Sequence, residues 1–60
     1  MWIICNNGDL INANNSDIIY SDTDGTWIDF SEERYQVSDY DVLKTIQNAI
    51  TANKNYVVVK

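Results

Sequence analysis

Histidine and proline are absent from this 60-residue chain, cysteine occurs once, glycine twice, and lysine and arginine together number four. Each shortage closes a route. Without histidine there is no Ser–His or Cys–His pair for nucleophilic catalysis, and one thiol cannot assemble the ligand set of a structural zinc. Cys5 alone cannot form an intrachain disulfide, which suits a reducing compartment. Gly8 and Gly25 stand far apart and neither opens a helix, so there is no phosphate-binding loop. No apolar run approaches the roughly 20 residues of a membrane-spanning helix. The start Met1-Trp2-Ile3-Ile4-Cys5 lacks the basic flank and the length of a signal peptide. These shortages predict a cytoplasmic protein that is not an enzyme and carries no cofactor or metal.

Cations are scarce where acids are dense. The net charge is −5, but residues 17–41 hold eight carboxylates against Arg34 alone, a local charge of −7, and the remainder carries +2. Phosphate binding depends on neutralising cations, so this middle excludes direct contact with nucleic acid or an anionic membrane and suits a basic protein partner. Solubility is the plainer use of such charge. Size adds a second constraint. A chain of 60 residues buries only about 60% of the surface that it exposes when unfolded. With disulfide and metal excluded, self-association is the expected source of further burial.

What is present is led by one amphipathic stretch. Val42, Ile46 and Ile50 recur every four residues, and Leu43 and Ala49 widen the stripe, which predicts a helix over 38–53. Ser38 can cap its start, with Asp41 three residues on, and Val37 and Val42 have the spacing of a hydrophobic staple. Asn53 is a left-handed stop. Ahead of the helix, Trp2 to Cys5 and Leu10-Ile11 flank an Asn7-Gly8 turn, the type I′ signal of a hairpin. Ile18 to Tyr20 and Thr26 to Phe30 flank Asp22-Thr23-Asp24-Gly25 as a second hairpin. Two registers are available there. A two-residue turn at Asp24-Gly25 pairs Tyr20 with Asp29; a left-handed bulge at Gly25 pairs Tyr20 with Ile28 and Ile18 with Phe30. The second gathers four apolar side chains on one face and is preferred. Arg34 to Val37 adds a strand, and Tyr56-Val57-Val58-Val59 closes the chain as one with both faces covered. The fold class is therefore α+β in one domain, 1–60: an antiparallel sheet of four to five short strands, one helix on one face and a C-terminal strand.

That register places Ile19, Ser21, Trp27 and Asp29 on the sheet face away from the helix. Trp27 with Ile19 is then the anchor of a homodimer or a hot spot for another protein, because buried aromatics dominate such interfaces. Trp2 and Cys5 read as core. The carboxylates Asp22, Asp24, Asp29, Glu32 and Glu33 form the accompanying acidic surface, solvated in turns. Asp22-Thr23-Asp24-Gly25 resembles a calcium loop superficially, but no EF-hand frame supplies both the glycine and the closing glutamate.

The start Met1-Trp2-Ile3, the segment Leu10-Ile11-Asn12, Tyr35 before a helix reading Val42-Leu43 and Ile46-Gln47, and a closing strand from Tyr56 resemble a group of short proteins from Gram-positive bacteria and their phages. Ile4 and Ser38-Asp39-Tyr40-Asp41 depart from that group's pattern. The resemblance implies a sheet-plus-helix fold of phage or prophage origin. Some proteins of this kind antagonise host defence, the anti-CRISPR and anti-Hachiman proteins among them. It therefore also implies a stoichiometric inhibitor acting on a basic host nuclease or helicase. A homodimeric interaction module with no inhibitory role is the other reading.

Overall fold

Alternating apolar side chains in three short strands decide where the core lies. In the computed structural model, which describes residues 1–60, β1 (Trp2–Ile4), β2 (Leu10–Asn12), β3 (Ile18–Asp22), β4 (Gly25–Phe30) and β5 (Glu33–Ser38) precede α1 (Leu43–Thr51) and β6 (Tyr56–Val58). The α+β class stands, with one helix. The strands number six, however, and divide into two three-stranded sheets, β2-β1-β6 and β3-β4-β5. β1 also pairs with β6 in parallel. Parallel pairing needs a long crossover, and almost the whole chain lies between these two strands.

Ile3 from β1, Val57 and Val59 from the C-terminal run, Ile28 and Val37 from the second sheet, and Val42, Ile46 and Ala49 from the helix region form one buried cluster with Cys5. The helix contributes by packing on β6 and β3. The closing run is covered on one face only, not on both: β6 is an edge strand, Val57 and Val59 are buried, and Tyr56 and Val58 point out and are exposed.

The helix begins five residues later than its periodicity suggests. Ser38 does not cap it. Ser38 ends β5, fully buried, where its hydroxyl donates to the Lys60 carbonyl and accepts the Tyr40 N–H at 3.0 Å. Val42 holds the N-cap position without a side-chain cap of its own. The first orphan amides are met from elsewhere: Thr26 Oγ1 accepts the Val42 N–H at 2.9 Å, and Asp41 Oδ1 accepts the Leu43 N–H at 3.2 Å. The C-terminus behaves as the sequence indicates. Asn53 has φ 57°, its N–H bonds to the Ile50 carbonyl, and Lys54 N–H bonds to Ala49, both at 3.0 Å. This is the paired closure of a Schellman motif.

The turns correct both hairpin readings. Gly8, at φ 92°, ends a three-residue loop in which Gly8 N–H bonds to Cys5 and Cys5 N–H bonds to Asp9. A type I′ turn would need Asn7 at positive φ, and Asn53 is the one non-glycine residue there. In the second hairpin Asp22 opposes Gly25, Ile19 opposes Ile28 and Tyr20 opposes Trp27. That is one residue away from the preferred register, and the slip exchanges the faces of β3. Ile19 turns inward and packs against the core, and Ile18 and Tyr20 turn outward. The reason is Gly25. It is buried at φ 133°, and a Cβ there would lie 2.1 Å from the Ser38 carbonyl oxygen. The glycine serves the close approach of β5 rather than a bulge in the turn. The irregularity falls instead on β5, where Thr26 pairs with Ser38 and Trp27 with Gln36, so Val37 is the extra residue and is driven into the core.

Gly25→Ala is therefore expected to cost about 3 kcal/mol in a urea melt, from backbone strain and overlap together, and Gly8→Ala about 1 kcal/mol from strain alone. Nothing lies within 4 Å of a Cβ at Gly8. Thr26→Val keeps the side-chain shape but leaves the buried Val42 N–H without its acceptor. It is expected to cost about 1–3 kcal/mol by the same measurement.

Candidate functional site

The outer face of the β2-β1-β6 sheet gathers four of the eight exposed large apolar side chains of the molecule, Trp2, Leu10, Tyr56 and Val58. Its composition follows from pairing. Ile3, Ile11 and Val57 turn inward, so alternation sends Trp2 and Ile4, Leu10 and Asn12, and Tyr56 and Val58 outward. The register sets them in two rows across the sheet, Asn12–Trp2–Tyr56 and Leu10–Ile4–Val58. Five of these six side chains are apolar or aromatic, and none is charged. Trp2 is 47% exposed, Leu10 63%, Tyr56 60% and Val58 61%. The core reading of Trp2 is thus overturned: Ile3 takes the buried position, and its neighbour must face solvent. This face went unread in the sequence because each strand contributes only two outward positions. The signal that could have found it is the joint alternation of the first and last strands.

The outer face of the second sheet has a different character. Trp27 does lie on the face away from the core, as the sequence suggests, but it is half-buried and engaged. The Arg34 guanidinium sits 4.0 Å from the centre of its ring, and its indole N–H donates to Asp22 Oδ1 at 3.0 Å. Arg34 also donates to the Tyr20 hydroxyl at 3.3 Å. The Tyr20 hydroxyl holds the guanidinium above its ordinary range. The Asp24 backbone N–H and then the Trp27 indole hold the Asp22 carboxyl below its usual 3.8. Trp27 is one member of a polar lattice across β3, β4 and β5.

The expected interaction residues are dispersed by this geometry. Ile19 leaves the outer face altogether and lines the cleft between β3 and α1 with Leu43 and Ile46. Asp22 and Asp24 lie at the β3–β4 turn, where Asp22 Oδ1 is occupied by the Asp24 N–H at 2.8 Å as well as by Trp27. Asp41 joins that end, bonded to Ser21 Oγ at 2.9 Å, and the backbone of Asp39 packs over Gly25. Glu32 and Glu33 lie at the β4–β5 turn, the opposite end of β4. Asp29 is not a solvated turn residue. It sits mid-strand opposite Ile18 and Arg34, half-buried, with Oδ1 lacking a hydrogen-bond partner. Glu33 is engaged too: it accepts the Tyr35 hydroxyl, and that bond raises the phenol above its ordinary 10.0.

An open groove of about 570 Å³ separates β2 from β5, with Cys5, Asp9, Leu10, Phe30, Glu33 and Tyr35 on its walls. Phe30 and Tyr35 meet edge to face there, 6.0 Å between ring centres. Asp9 and Glu33 supply carboxylates, but no cation lines it. Nowhere do three acidic or thiol side chains gather as a metal-binding group. No helix is long and apolar enough to cross a membrane.

No protein-family model matches the chain, and no curated protein or solved structure is significantly similar to it.

Cys5 is buried at 4% exposure. Burial, and then the charge of Asp9, push its thiol above the ordinary 9.0. Because the folded value is raised, the neutral thiol's contribution to stability is complete below pH 9.0 and is lost as pH rises through the folded value. A thiol-exchange reagent at pH 8 is expected to modify Cys5 at least about 10-fold more slowly in the folded chain than in urea. Above pH 9.0 the urea midpoint should fall more steeply in the wild type than in Cys5→Ala, where the raised Tyr35 phenol alone still contributes a fall.

Proposed function

We propose that this chain works by binding protein surfaces rather than by catalysis. In this reading it acts as a stoichiometric inhibitor whose acidic body occupies a basic groove of a nucleic-acid-handling enzyme. The observation that carries the reading is the segregation of charge. The eight carboxylates of residues 17–41 all belong to the β3-β4-β5 sheet, its approaches and turns, and the connection into α1, while the outer face of β2-β1-β6 bears none. A basic groove would meet the field of this one sheet, carried from the β3–β4 turn to the β4–β5 turn, and such fields raise association rates by about 10- to 10³-fold. The resemblance to short phage proteins supports the same direction, with a nuclease or helicase of a host defence system as target and the host cytosol as the place of action. A homodimeric module whose acidity serves solubility is the second reading, favoured by the Trp27–Arg34–Asp22 lattice, which occupies part of the acidic face internally.

Asp24, Glu32 and Asp39 are exposed, and their carboxylates take no part in the hydrogen bonds described above. The triple variant Asp24→Asn, Glu32→Gln, Asp39→Asn is expected to keep the thermal midpoint within a few degrees. Added at equimolar concentration to defence nucleases and helicases, the wild-type chain should block their nucleic-acid binding. The triple variant should associate with the enzyme so blocked about 10-fold more slowly at low salt, with a flatter salt dependence. Association at the wild-type rate and salt slope would assign the carboxylates to solubility.

A further inference from the structure

We propose that the outer face of the β2-β1-β6 sheet receives a second copy of the same chain, stacked face to face about a two-fold axis parallel to the strands. The homodimer expected from the sequence thereby moves from Trp27 to Trp2. This inference does not depend on the inhibitory reading, since it uses the other sheet.

Area comes first. Aromatic side chains present about 150–250 Å² each, so Trp2 and Tyr56, with Leu10 and Val58, expose roughly 400–500 Å². That is near the upper end of what a lone small protein shows, and it exceeds half of the about 800 Å² per partner of a stable interface. Ile4, between Leu10 and Val58, and Asn12, beside Trp2, complete the face. Charge favours the same face. Two copies of a chain at −5 repel each other on most approaches. The two rows Asn12–Trp2–Tyr56 and Leu10–Ile4–Val58 hold no carboxylate, so contact here desolvates none of them.

The register then selects the axis. With the axis along the strands, β1 stacks on β1 of the copy and β2 on β6. Trp2 meets Trp2, Ile4 meets Ile4, Leu10 meets Val58, and Asn12 meets Tyr56. The Asn12 amide oxygen already accepts the Asn14 N–H at 3.1 Å, and its NH₂ group remains to donate to the phenol oxygen. With the axis across the strands, Leu10 would meet Asn12 instead, and two amides would be buried against apolar side chains at the cost of their hydrogen bonds. Aligned stacking within about 30° is also the common geometry for sheets packed face to face.

Sedimentation equilibrium from 0.1 to 100 µM, at low and high salt, tests this. The wild type should approach twice its 6.9 kDa mass, with no weakening at high salt. Leu10→Lys and Val58→Glu each alter a side chain more than 60% exposed, so the monomer fold should be retained by circular dichroism. Each should weaken the dimer at least 30-fold. The double variant Leu10→Lys with Val58→Glu should regain at least 10-fold over either, because the two positions face each other across the interface. Trp27→Lys should leave the dimer in place. A wild type that stays at 6.9 kDa at 100 µM would overturn the proposal. So would single variants that dimerise as tightly as the wild type, or a dimer lost with Trp27→Lys in a folded chain. A double variant no tighter than the singles would overturn the axis.

Discussion

The Thr26 hydroxyl joins parts of the chain that no ladder connects. It is fully buried, accepts the Val42 N–H at the start of the helix, and donates to the Tyr40 carbonyl at 2.8 Å. Ser21 Oγ lies 2.9 Å from it and 2.9 Å from Asp41 Oδ1. Two hydroxyl protons thus serve three contacts. With the Thr26 proton on Tyr40, the Ser21 proton is shared between Thr26 and the Asp41 carboxylate. One threonine therefore ties β3, β4, the 39–42 connection and α1 at a single buried point. A buried polar group without a partner costs about 1–3 kcal/mol, a large share of what a small domain has. Everything at that end of the second sheet, including the seat of Gly25 beneath β5, depends on the arrangement closing together.

This explains which parts of the fold were legible in the sequence. The C-terminal stop at Asn53 was legible because the left-handed residue and its two closing hydrogen bonds are local. The outward Trp27 follows from alternation, which is also local, whereas the closing run reads as covered on both faces and in fact alternates. The start of the helix was not legible. Its cap acceptor lies 16 residues upstream on another strand, and Ser38, which has every local credential of a cap, is taken by the Lys60 carbonyl. The hairpin register failed for a similar reason. Counting apolar residues on one hairpin cannot detect that Gly25 must clear the backbone of a third strand. Ile19 moved to the inner face with that register, and Asp29 proved to be a strand residue rather than a turn residue.

The two tryptophans show how one residue type serves two ends. Trp27 has Arg34 over its ring and Asp22 on its indole N–H, so its affinity for partners is largely satisfied within the chain. Trp2 has only its strand neighbours Asn12 and Tyr56 beside it and remains half in water. The sequence marks Trp27 as the aromatic anchor and Trp2 as core. Both stand on the central strand of a three-stranded sheet, so the neighbouring side chains distinguish them: Arg34 and Asp22 engage Trp27, whereas Asn12 and Tyr56 leave Trp2 47% exposed.

The parallel pairing of β1 with β6 also bears on the order of events during synthesis. β1 is the central strand of its sheet, yet one of its two neighbours is the last strand of the chain. As the chain emerges from the ribosome, Ile3 can pair with β2 at once but must wait for Val57 before its other edge is covered. The β3-β4-β5 meander needs no such delay, since its contacts span few residues. One edge of β1 therefore stays without its partner strand until the last strand has been made, and an unpaired strand edge is a template for wrong pairing.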